Sequence, residues 1–100
     1  MPKITKQDAQ RFLGNVAEEH VFRCCDGCSI RNLKELQVTL ADMADDVFAY
    51  HSNPDKSDFS NWVRDIIGDE KLADDLSKAK NRSQALAAVA RRVAFLEGRI

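Results

Sequence analysis

Apolar residues recur along this chain at intervals of three and four. After Phe59, the residues Trp62, Val63, Ile66 and Ile67 follow at i+3, i+4, i+7 and i+8, which is one face of a helix, and Gly68 stands where a C-cap would fall. Ser57 or Asp58 is the expected cap at its start. Leu33, Leu36, Leu40 and Met43 form a second stripe, opened by Asn32 with Glu35 three residues on. Thr5 and Asp8 give the same signal for a first helix that carries Ala9, Phe12, Val16 and Ala17 to about Glu19. Gly14 inside it costs about 1 kcal/mol relative to alanine and marks either close packing or an early end. A short helix from Asp45 or Asp46 carries Val47, Phe48 and Tyr50 and stops before Asn53-Pro54, because the residue before proline is disfavoured in helical geometry. Asp69 caps a fifth helix (Leu72, Ala73, Leu76, Ala79), and Ser83 caps a sixth (Leu86, Val89, Ala90, Val93, Leu96). Val21 and Phe22 ahead of Asp26-Gly27 predict a short extended segment near residues 20–25 and a turn.

The expected fold is therefore all-α in the main: a compact bundle of five or six short helices with that extended segment, as one domain over residues 1–100. Composition changes this little. With 44% hydrophobic and 31% charged residues the chain is globular rather than disordered, and four glycines with two prolines are too few for a β-sandwich.

Charge adds polarity without a global field. The formal net charge is −1, which argues against nucleic acid or a membrane as partner. Residues 41–80 nevertheless carry ten acidic side chains against five basic ones, a net of −5, and residues 81–100 carry four arginines against Glu97, a net of +3. The first residues lack the apolar core of a signal peptide, and no apolar run approaches the roughly 18 residues of a membrane span. Three clustered cysteines are an odd number and unlike a disulfide framework, so a reducing, cytoplasmic setting is expected.

The order Tyr50-His51, then Asp58-Phe59-Ser60-Asn61-Trp62-Val63-Arg64-Asp65-Ile66-Ile67-Gly68-Asp69, then Leu72-Ala73, resembles a small helical domain family of unknown function in prokaryotic proteins. The likeness runs upstream through Phe22, Gly27 and the Leu33–Leu40 segment. It implies a compact helical module with no established activity and offers no catalytic residues to carry over. Cys24, Cys25 and Cys28 are additions to that pattern.

Cys25-Asp26-Gly27-Cys28 has the spacing at which two thiolates grip one tetrahedral zinc, with Cys24 alongside and His51 or His20 as nitrogen donors. A second ligand pair is missing, and packing cysteines are the simpler reading. His51 could serve as a general base oriented by Asp55 or Asp58. A histidine ending a helix also suits the free carbonyls and the negative helix terminus there, and no nucleophile elbow or phosphate loop accompanies it. Trp62 reads as a core anchor. The acidic series lacks the pattern of a calcium loop. Arg91 and Arg92, with Arg82 and Arg99, read as a solvated face of the last helix, poorly suited to nucleic acid without interleaved aromatics. The functional expectation is a non-catalytic module that docks on a protein partner or on itself through complementary charge, with Arg91 and Arg92 on one side and Asp45 and Asp46 on the other. The alternative is a metal or redox protein using the cysteine cluster.

Overall fold

The structure, a computed structural model, describes residues 4–24, 27–53 and 56–100. Six α-helices are present among them: α1 (Lys6–Leu13), α2 (Leu33–Asp42), α3 (Asp45–His51), α4 (Asp58–Trp62), α5 (Glu70–Lys78) and α6 (Arg82–Glu97). Two antiparallel ribbons of two-residue strands complete them. β1 (Phe22–Arg23) pairs with β2 (Ser29–Ile30), and β3 (Ser52–Asn53) pairs with β4 (Lys56–Ser57). The mainly all-α expectation therefore holds, with β1 in the predicted extended region and β2 just after it. The Cα radius of gyration is 12.7 Å, close to the roughly 13 Å of a folded 100-residue chain. No helix is long and apolar enough to cross a membrane among the described residues.

Side-chain caps open several of these helices. Thr5 closes a reciprocal capping box with Asp8, Asn32 accepts from the Glu35 N–H, and Asp69 accepts from the Leu72 N–H. The long helix α6 packs on α1, α2 and α5, and α4 packs on α5. Leu33, Leu36 and Leu40 meet Ala85, Val89, Val93 and Leu96 in one core, which Leu72, Ala73 and Leu76 extend.

The structure corrects three local expectations and adds one element. α1 ends at Leu13 rather than near Glu19. Gly14 turns extended (ψ 164°), Val16 donates to the Arg31 carbonyl at 2.8 Å, and Asn32 Nδ2 donates to Asn15 at 2.6 Å, so hydrogen bonds to a distant segment replace further helical turns. α6 is capped by Asn81, not Ser83. Asn81 accepts from the Gln84 N–H while Gln84 accepts from the Lys80 N–H, which places Ser83 in the first turn. The helix α3 stops before Asn53-Pro54 as expected, and the chain after it adds the β3–β4 ribbon, with Pro54 and Asp55 outside the described residues. Finally, α4 does not run on as α-helix: Val63–Ile67 form a π-helical turn. Gly68 ends it at φ 91°, where its N–H reaches the Val63 carbonyl at 2.7 Å.

Candidate functional site

Two groups of polar side chains lie where chemistry could be built. The first is at the aromatic end. The Phe22 ring stacks on Phe59 at 5.0 Å and meets the edge of Trp62 at 5.9 Å, and Phe48 stacks on Phe59 at 5.9 Å. Trp62 is buried as expected, and its Nε1–H donates to the His20 carbonyl at 2.8 Å. His51 sits among these rings, 5.2 Å from Phe22 and 5.5 Å from Phe59, with Nδ1 2.9 Å from Asp58 Oδ2. Lys56 Nζ holds the same carboxylate oxygen at 3.2 Å. Of the two carboxylates expected to orient His51, Asp58 does so, and Asp55 lies outside the described residues. The pair joins the end of α3 to the start of α4, and the aromatic rings around His51 fix its orientation.

The second group surrounds α6. Arg92 Nε donates to Asp69 Oδ2 at 2.7 Å and a terminal nitrogen donates to Oδ1 at 2.9 Å, a bidentate pair. The Arg92 side chain is 12% exposed and that of Asp69 only 1%, so the solvated face expected for Arg91 and Arg92 holds for exposed Arg91 alone. Asp69 also caps α5. One carboxylate thereby joins the start of α5 to the middle of α6.

Above this pair lies an open groove of about 660 Å³ between α1, the start of α5 and the end of α6. Ile4, Phe12 and Phe95 supply its apolar lining; Glu70, Lys71, Asp74 and Arg99 line it as well. Phe95 is 40% exposed, and its ring lies under two guanidinium groups, those of Arg92 and Arg99, each 5.1 Å from the centroid. A shallower depression of about 370 Å³ flanks exposed Val38 on α2.

Two of the four C-terminal arginines, Arg92 and Arg82, pair with carboxylates of the acidic middle stretch. Asp45 accepts from Arg82 at 2.9 Å, Arg82 also donates to the Leu40 carbonyl at 2.8 Å, and Glu97 holds Lys34 at 2.7 Å. Asp46 accepts from the Val47 N–H at 3.0 Å at the start of α3.

Of the expected zinc ligands, Cys24 is buried and Cys28 exposed, both as thiols, and Cys25 lies outside the described residues. Among the described residues no three His, Cys, Asp or Glu side chains converge as a metal site. Sequence reasoning missed Phe95, Phe12 and Ile4 as a shared surface. The available signal was Phe95 itself, an aromatic residue off the apolar stripe of α6.

Comparison with protein-family models, with curated proteins and with solved structures finds no match to this chain.

Proposed function

We propose that this protein is a non-catalytic interaction module that receives an apolar side chain of a cytoplasmic protein partner in the groove between α1 and α6. The observation that carries this reading is Phe95: a large aromatic ring left open to solvent, braced by two arginines, beside the apolar Phe12 and Ile4. Aromatic and arginine side chains at the centre of a concave patch are the usual anchors of protein recognition. Because Asp69 neutralises Arg92 and Asp75 holds Lys71 at 2.9 Å, Arg99 is the lining cation offered to a carboxylate on the partner. The fitting ligand is thus a segment with an apolar side chain next to an acidic one. His51 and Asp58 serve the architecture in this reading, through the link between α3 and α4.

The test places a photo-crosslinking residue at position 95 of the full chain, identifies the partner captured, and measures its affinity with both proteins purified. Phe95→Asp should weaken binding by about thirtyfold, the cost of an anchor residue, while Val38→Asp on α2 leaves it unchanged. Equal affinities for wild type and Phe95→Asp sink the proposal.

A further inference from the structure

The cysteines of the first hairpin are not used by the groove, and the structure gives them a geometry that spacing alone does not show. Phe22 pairs with Ile30 and Arg23 with Ser29, so continuing the ladder sets Cys24 directly opposite Cys28. The Cys24 N–H donates to the Cys28 carbonyl at 2.8 Å, and the Gly27 N–H donates to the Cys24 carbonyl at 3.0 Å. Gly27, at φ 95°, has the left-handed conformation that three-residue hairpin loops place just before the second strand. Alternation along a strand then assigns faces. Arg23 and Ser29 share the outer face, where their side chains bond at 3.4 Å, so Cys24 and Cys28 fall on the other face with Phe22 and Ile30. Cys24 is only 6% exposed, whereas Cys28 is open to solvent.

We infer that Cys24 and Cys28 form a reversible cross-strand disulfide site, a thiol switch that takes low-molecular-weight disulfides as oxidant. Opposed residues in a hydrogen-bonded antiparallel pair have Cα atoms about 5.5 Å apart, inside the roughly 4.4–6.8 Å that a disulfide spans. Exposure sets the order of events. The Cys28 thiolate attacks a small disulfide RSSR, forming the mixed disulfide Cys28–S–SR and releasing RS⁻, which takes up the proton Cys28 gave up. The Cys24 thiolate then attacks Sγ of Cys28, the S–SR bond breaks, and a second RSH leaves with the proton from Cys24. Two protein thiols are oxidised and one RSSR is reduced to two RSH. The bond staples the ribbon whose Phe22 packs on Phe59, Trp62 and His51, so the oxidation state of the hairpin is felt at the aromatic end of the core. Transient, sensing disulfides of this kind are the form that a reducing compartment permits.

The test uses the full chain as wild type, Cys25→Ser, Cys24→Ala and Cys28→Ser. Each is equilibrated in mixtures of reduced and oxidised glutathione, quenched, alkylated and digested with trypsin, which releases residues 24–31 as one peptide because Arg23 and Arg31 flank them. Cys25→Ser should give this peptide lighter by two hydrogens and without alkyl groups, at a glutathione ratio within about threefold of wild type. Cys24→Ala should stop at the glutathione adduct of Cys28. Two results overturn the inference. One is a Cys25→Ser peptide that carries only alkyl groups or glutathione under the most oxidising mixture. The other is Cys24→Ala that closes a disulfide like wild type, which would give the bond to Cys25 and Cys28. The Cys25→Ser arm leaves both proposed cysteines untouched, so it decides even if Cys24→Ala loses its fold.

Discussion

At one end of the molecule Phe22, Phe48, Phe59, Trp62 and His51 pack ring against ring, and short ribbons with single long-range hydrogen bonds hold them there. At the other, α5 and α6 bury small and aliphatic side chains in regular register, and one ion pair, Arg92 with Asp69, ties the two helices together. The aromatic end draws its stability from a few large contacts between segments far apart in sequence. The helical end draws it from many small repeated ones, plus a charge pair that stabilises only while both partners are present.

Asp69→Ala tests the helical end most severely. It strands the Arg92 guanidinium and removes the α5 cap, and should cost about 4–6 kcal/mol in denaturant unfolding, from about 3–5 for the broken buried pair and about 1 for the cap. The double variant Asp69→Asn, Arg92→Met keeps a capping side chain and leaves no charge behind, so it should return to within about 2 kcal/mol of wild type. A double variant as unstable as the single one would show that the pair itself, rather than the stranded charge, holds α5 to α6.

At the aromatic end, Trp62→Ala should cost about 3–5 kcal/mol and Trp62→Phe about 1–2, the difference between losing a ring and losing mainly the hydrogen bond to His20. Equal losses would mean that the hydrogen bond, not ring packing, closes this end.

The smallest effect concerns an exposed pair on α5, the helix that Asp69 caps. Lys78 donates to Asp74 at 3.0 Å, and this hydrogen bond, with the attraction of the two charges, lowers the Asp74 pKa below 3.8 and raises that of Lys78 above 10.5. The Asp74 contribution is present above the ordinary carboxylate range and lost as pH falls through its lowered value. That of Lys78 is present below its ordinary range and lost as pH rises through its raised value. Carboxyl NMR should place the Asp74 midpoint below 3.8 in wild type and return it towards 3.8 in Lys78→Ala, with no measurable change in melting at neutral pH.

The same contrast explains what could be read from sequence. Leu33, Leu36 and Leu40, and Phe59 through Ile67, declare their helices because burial on one side imposes the period locally. The early end of α1 could not be read with equal force, since it depends on Val16 reaching Arg31 and Asn15 reaching Asn32. The cap at Asn81 lost out to Ser83 because both residues satisfy the same local rule. Arg92 was visible as a charge, but its burial follows from where Asp69 lies once α5 folds beside α6. The groove was least visible of all, because Phe12 and Phe95 share it only when the first and last helices meet.

The hydrogen bond from Trp62 to the His20 carbonyl also gives the protein an optical gauge of its own. The chain has a single tryptophan, and its indole is bonded to the backbone just ahead of the hairpin while the ring is buried with Phe22. Its emission colour reads whether this segment is seated, since lifting it off wets the indole, whereas far-ultraviolet dichroism reads the helices. One cuvette with two detectors can therefore follow the seating of the hairpin separately from the melting of the bundle.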